Sequence, residues 1–378
     1  MQTQGFQIQV NGIGDANALT ISQAHQHFGL SKQECIERIL TSPSILQSNL
    51  THERALQLKD ALSSFKLPCE IIDNNATINS HQARYEIAAH ITKFDHIAEF
   101  AAELAAFTGQ TGEEIVHSLT QVPAILLGQL SKTVAQDLIK RFSKPGIELI
   151  ASPSGSARYS VLAYMPSYNE ATKSQYISFG LNPIDNSREC LQWSADDITY
   201  TEAHSIWQKA SEFHLPVHIQ NHDYYRFNLK LESAPIKEKT DSFSHWLTRN
   251  FSIPEKIHAK LLNSLPIILE RSLPTERAQE YLLEMHEFGA TGSAASVSGD
   301  KYNIEFSEID STKSLPLSNL INSIMGRAIA LPNVSKNTLL VPLYANTHQA
   351  LWIIHETKKA GLSARLIQIH ENKRNWTS

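Results

Sequence analysis

The chain has 378 residues, 42% of them hydrophobic and 19% charged, with a formal net charge of -5. Those proportions exclude a disordered chain and supply enough apolar surface for packed cores. Lys and Arg are scattered without a basic stripe, so nucleic acid is not an expected partner.

The start, Met1 to Val10, carries neither a cationic region nor a continuous apolar run, so no secretory leader is expected. No stretch approaches the ~18 unbroken apolar residues of a membrane span, which argues against direct membrane insertion. Cys35, Cys69 and Cys190 are few, odd in number and far apart, which suits a reducing compartment. The expected location is cytoplasmic.

Alternating runs that read as half-buried strands begin near residues 6, 83, 157, 225 and 301, a period of roughly 67–77 residues. They are Phe6 to Val10, Arg84 to Ile87, Arg158 to Leu162, Arg226 to Leu231 and Lys301 to Phe306. Downstream of each run comes one phrase that opens a helix. It reads Leu50-Thr51-His52-Glu53-Arg54-Ala55, and returns as Leu130 to Ala135, Ile198 to Ala203, Leu273 to Ala278 and Ala345 to Ala350. Thr51, Ser131, Thr199 and Asn346 stand where an N-cap oxygen satisfies the first free amides, and Pro274 fixes its own φ at the same turn. The helices stop at Pro68, Pro145, Pro216, Gly289 and Gly361, and closing strands follow, from Cys69-Glu70-Ile71-Ile72 to Ala364 through Ile369.

Between the first strand and the capped helix, repeats one, two and four carry two helical segments ending at a recurring proline, Pro43, Pro123 or Pro266. A short strand precedes the capped helix. The expected fold is α/β of the α+β two-layer kind, in five tandem modules of β-α-α-β-α-β type: 1–75, 83–152, 157–221, 224–298 and 301–371. Modules three and five read as degenerate, the former through Pro183 and the polar stretch around Asn186, the latter through Leu331-Pro332-Asn333 in place of a second helix. Connections such as Ser152 to Ala157 are too short for free beads on a string.

Modules one, two and four resemble the C-terminal domain of the bacterial large-subunit ribosomal stalk protein, in a superfamily shared with the ClpS protease adaptor. The matching phrase in module one runs Phe28-Gly29-Leu30-Ser31-Lys32-Gln33-Glu34-Cys35-Ile36, then Thr41-Ser42-Pro43, then Leu50 to Leu62. Module two repeats it from Thr108 to Val116 and at Val122-Pro123. The resemblance implies the small two-layer fold, and implies a partner-binding face on the first two helices, where the stalk recruits translation GTPases. Ser22, His25 and Ile36 stand here where that family carries basic residues.

Candidate chemistry is sparse. The series His214, His218, His222 falls on a strand pattern, where residues four apart lie about 13 Å from one another, too far for one metal ion. Asp196-Asp197 precedes a helix, where acidic residues complement the helix dipole. Gly12-Ile13-Gly14 and the Gly289 to Gly299 stretch lack the rest of a phosphate-binding motif. No cofactor, metal or small molecule is expected, and the chain reads as a non-enzyme. The leading expectation is a multivalent scaffold or adaptor binding protein partners within a larger bacterial assembly. Its candidate contact residues are Ile21, His25, Gly29, Leu30, Lys32, Trp207, Trp246 and Trp352. The alternatives are a ribosome- or translation-GTPase-associated factor and, after it, an enzyme with a site between modules.

Overall fold

A computed structural model describes residues 5–76, 84–165, 167–184, 191–297, 301–307, 311–329, 331 and 338–369, with the backbone of 375–376. The chain divides into two compact units, Met1–Ala157 with Thr199–Glu202, and Arg158–Ile198 with Ala203–Ser378. The fold is α+β, built on five small antiparallel sheets.

The first module comprises β1 (Phe6–Val10), α1 (Ala18–Ala24), α2 (Lys32–Leu40), β2 (Ser44–Leu50), α3 (His52–Ser64) and β3 (Cys69–Asp73). The second follows the same order with β4 (Tyr85–Ile91), α4 (Ile97–Thr108), α5 (Gly112–Leu119), β5 (Ala124–Leu130), α6 (Lys132–Phe142) and β6 (Ile147–Pro153). In the third, β7 (Tyr159–Tyr164) and α7 (Glu170–Ser178) lead to β8 (Asn182–Pro183), which pairs with β9 (Gln192–Ile198). Helix α8 (Tyr200–Glu212) and β10 (Val217–Asn221) complete it. The fourth regains the full order: β11 (Arg226–Leu231), α9 (Thr240–Phe251), α10 (His258–Leu262), β12 (Ile267–Pro274), α11 (Thr275–Glu287) and β13 (Gly292–Ser296). The fifth has β14 (Lys301–Ser307), one long helix α12 (Ser311–Met325), β15 (Thr338–Ala345), α13 (Thr347–Lys359) and β16 (Ser363–Ile369), and a short β17 (Asn375–Trp376) follows. Asn186, Cys190, Pro332 and Asn333 lie outside the described residues.

In every sheet the module's first strand is central, flanked by antiparallel partners: β2-β1-β3, β5-β4-β6, β9-β7-β10, β12-β11-β13 and β15-β14-β16. The capped helices α3, α6, α8, α11 and α13 each bury one stripe. It includes an alanine in the first turns, Ala55, Ala135, Ala203, Ala278 or Ala350, and continues one turn on at Leu58, Leu138, Ile206, Tyr281 and Ile353. Because that one position is Ala in all five, the helix can approach the sheet there without a large side chain to accommodate. The caps form as the sequence implies. Thr51, Ser131 and Asn346 accept from the amides three residues on, Thr199 does so from Glu202, and Pro274 takes the turn with φ -59 and no side-chain bond.

Three backbone features recur, the first of which no residue type announces. Asn49, Gln129, Asp197, Ser272 and Tyr344 all have φ between 51 and 59, two residues before the cap. Each coincides with a register shift between the second strand and the central one, so all five modules carry a β-bulge here. An extra residue bends the edge strand and aims the chain at the cap. A second left-handed position follows the first helical region, at Gly29, Gly109, Gly180, Ser252 and Gly326. The third ends four of the capped helices, at Lys66, His214, Gly289 and Gly361. At the first two of these the sequence places the stop at Pro68 and Pro216, but the helix has already closed. Leu67 N–H and Leu215 N–H reach back to the carbonyls of Leu62 and Ala210, the Schellman pattern. The recurring prolines Pro43, Pro123 and Pro266 follow cis peptide bonds.

A left-handed φ at a non-glycine residue costs of order 1–3 kcal/mol, while glycine there gives back roughly 0.5–1 kcal/mol in unfolded-chain entropy. Tyr344 sits at φ 51 with an exposed side chain, so few contacts are lost with it. Tyr344→Gly should therefore stabilise the fifth module by about 0.5–1 kcal/mol, read as slower hydrogen exchange along β15. Faster exchange there would show that the tyrosine ring, not the backbone, governs the position.

Candidate protein-binding surfaces

Helix α1 begins at Asn17, whose side chain accepts from Thr20 N–H, and buries Ile21 and Ala24. Helix α2 starts at the Ser31 cap and buries Cys35, Ile36, Ile39 and Leu40. These two helices correspond to the partner-binding face that the stalk resemblance implies. In this chain, α1 packs against α4 of the second module. Arg141 of α6 reaches across to donate to the carbonyls of Ala16 and Gly14, the latter at 2.9 Å, while its guanidinium lies 5.1 Å from the Phe107 ring. Arg84 donates to the Thr41 carbonyl at 2.8 Å. Gly109, at φ +77, brings backbone so near α2 that an added Cβ would meet Ile36 Cδ1 at 2.9 Å. Beside it lies a cleft of about 160 Å³ lined by Gln33, Ile36, Glu37, Leu40, Thr108 and Gln110 with their neighbours.

Part of the face expected to recruit a partner is therefore spent on holding modules one and two together. Ile21, named as a contact residue, is a core residue at 1% exposure. His25 is half-buried, its Nδ1–H donating to the Ser22 carbonyl at 2.6 Å. Leu30 is half-buried; Gly29 and Lys32 are exposed, and a Cβ on Gly29 would meet nothing.

The tryptophans divide. Trp207 on α8 is 43% exposed and stacks on His204, ring centroids 5.6 Å apart. Trp246 is instead the centre of the fourth module's core, at 6% exposure against Phe243, Phe251, Tyr281 and Phe288, with its indole N–H donating to Glu284. It follows Phe243 by one helical turn, so both fall on the inward stripe. Trp352 is half-buried and packs against the fifth core. Trp193 and Tyr224 are buried as well.

A recurring surface feature escaped the sequence reading. Ile125, Ile268 and Leu340 occupy one position, four residues before the left-handed bulge residue on β5, β12 and β15. They pair with Ala88, Lys230 and Glu305 on the central strands, and are 43%, 43% and 49% exposed. The unbroken apolar runs Ala124 to Leu127, Ile267 to Leu269 and Leu339 to Val341 hide which apolar residue is exposed.

The histidine series does not share one strand. His214 is the left-handed turn residue after α8, His218 lies on β10, and His222 is in a single 3-10 turn leading to the fourth module. Ser160 on β7 is 2% exposed, its Oγ 2.7 Å from His222 Nε2, and Tyr225 stacks on the imidazole at 5.0 Å. Asp197 accepts from Arg158 Nε at 2.9 Å. With so little of Ser160 accessible, the pair fastens the linker to the sheet and offers no exposed nucleophile. Among the described residues no group of three or more His, Cys, Asp or Glu could hold a metal ion. Burial pushes the Cys35 thiol up to about 11 and raises that of Cys69, so neither is a ready thiolate.

The chain matches no family model, no curated protein and no solved structure. No helix among the described residues is long and apolar enough to cross a membrane.

Two expectations follow from this geometry. Arg141→Met should loosen modules one and two by about 1–3 kcal/mol, the worth of hydrogen bonds from a charged donor, seen as faster exchange in residues 11–17; unchanged exchange would make the contact incidental. Burial lowers the His222 pKa despite Asp197, Asp196 and Asp223, which favour the charged form. A depressed native pKa means that the unfolded chain takes up the proton first as pH falls. Stability of the Ser160–His222 region should thus be complete above the unfolded histidine value near ~6.5 and decline below it. His222→Gln should flatten that decline, measured by hydrogen exchange between pH 7 and pH 5.

Proposed function

We propose that the chain is a non-enzymatic, multivalent protein-binding scaffold. The observation that carries this reading is the exposed apolar residue presented at one equivalent position by three modules, Ile125, Ile268 and Leu340. Protein interfaces place apolar side chains at their centres, and single small faces of this kind bind weakly. Joined in one chain, such sites raise one another's effective concentration, giving avidity gains of ~10²–10⁴ where geometry permits simultaneous contact. The five modules keep their buried Ala stripe and vary what they expose, from Trp207 on α8 to Leu283 on α11, both exposed. That pattern suits related but non-identical ligand sites. The stalk resemblance supports a protein as the partner class, and the use of α1 by α4 argues against recruitment through that helix in module one. A component of a larger bacterial assembly in the cytoplasm accords with this reading.

The test is quantitative capture from the native lysate with the intact chain, the single variants Ile125→Asp, Ile268→Asp and Leu340→Asp, and the triple variant. Each single change should reduce recovery of the same partner, and the triple should lower it by at least ~10²-fold, as lost avidity requires. Circular dichroism confirms that the variants fold. Equal recovery by the triple variant would remove these faces from the interface and with them the multivalent reading.

A further inference from the structure

Each sheet has two edges, and an edge strand carries a row of backbone N–H and C=O groups able to pair with another chain. Most closing strands here carry protection of a familiar kind. Glu70 and Asp73 lie on β3, Glu148 and Pro153 on β6, Arg365 on β16, and β10 holds His218 with two amide side chains. Strand β13 reads Gly292-Ser293-Ala294-Ala295-Ser296, with no charge, proline, histidine or amide.

Packing accounts for those small residues. A Cβ on Gly292 would meet Met285 Sδ at 2.5 Å and the Lys230 carbonyl at 3.0 Å, so α11 lies directly over the strand. Ala294 is buried in the same layer, with Phe227 and Ala278. Register against β11 is continuous from Leu231↔Gly292 to Phe227↔Ser296, without a bulge. The far side of β13 is thus a regular edge with no bulky or charged side chain along it. It is also the edge on which a further strand is seated: β17 pairs antiparallel with it, Trp376 opposite Ala294 and Asn375 opposite Ala295.

We propose that the outer edge of β13, the side away from β11, is a strand-addition site for an extended peptide, and that the segment containing Asn375–Trp376 of the same chain is its resident occupant. Recognition is by main-chain hydrogen bonding, the mode in which sheet edges take up extended peptides with affinity from the backbone. Only a short span separates β17 from β16, and a tether of that length holds the segment at an effective concentration in the millimolar range. The edge is therefore filled in the free chain and opens only to a competing strand. This inference concerns a sheet edge, and stands apart from the exposed strand residues Ile125, Ile268 and Leu340 on which the scaffold reading rests.

The experiment compares the full chain with its Asn375→Pro/Trp376→Pro variant, which removes both backbone donors from the added strand and leaves every core residue in place. Hydrogen exchange at Gly292–Ser296 and anisotropy of a labelled synthetic peptide of residues 370–378 are read on both proteins. The variant should exchange faster along β13 alone and bind the peptide at least ~10-fold more tightly than the parent, whose site is already occupied in cis. Identical β13 exchange in the two proteins, or equal peptide binding, overturns the proposal. Protection in the parent that falls on tenfold dilution overturns the cis assignment, because the occupant then comes from a second copy.

Discussion

The close approach of a capped helix to the central strand of its sheet is the contact on which the rest of each module depends. Ala55, Ala135, Ala203, Ala278 and Ala350 are all buried where that helix begins to cross the sheet. A larger side chain would lift the helix from the strand, and packed interiors tolerate such overpacking poorly. The constraint reaches backwards along the chain. For the alanine to land on the sheet, the helix must start within a few residues of the edge strand, and the left-handed bulge residue turns the chain sharply enough to allow it. Five different side chains, on Asn49, Gln129, Asp197, Ser272 and Tyr344, occupy that conformation. Asn and Asp adopt it with least difficulty, whereas Gln, Ser and Tyr are held there by the surrounding structure.

This dependence explains what the sequence made legible. The helix-opening phrase stood out because two of its positions are chemically restricted, the cap by hydrogen bonding and the alanine by packing. Strand and helix order in modules one, two and four could be read for the same reason. The bulge was hidden because its requirement falls on φ rather than on residue type. The third module's register was hidden too: its single register shift, between Tyr159 and Val161, leaves Trp193 buried where modules two, four and five expose Ile125, Ile268 and Leu340. Helical stops at Pro68 and Pro216 were misplaced because Lys66 and His214 take a conformation usually left to glycine.

Surface assignment was the weakest part of the sequence reading, and the tryptophans show why. Trp207 and Trp246 have similar helical neighbourhoods in sequence, yet one is solvent-facing and the other is the hub of an aromatic core. Exposure is set by which stripe faces the sheet, and in α9 that stripe is fixed by Phe243 and Leu247 together with Trp246. Ile21 is buried on α1, and that helix also packs against α4 of another module, a neighbour that leaves no trace in the local sequence pattern.

Repetition itself then creates the problem that the edges must solve. A chain that carries several sheets of one topology offers each of them related edges, and a regular edge in one module can pair with extended chain from anywhere nearby. Charges on β3, β6 and β16 discourage this, and the bulges bend β2, β5, β9, β12 and β15 away from regular pairing. Strand β13 cannot adopt bulkier residues at Gly292 because α11 occupies the space they would need. Its protection must come from outside the module, and the pairing of β17 supplies it. The packing that makes the fourth module's core tight is thus the same packing that leaves its edge dependent on a borrowed strand.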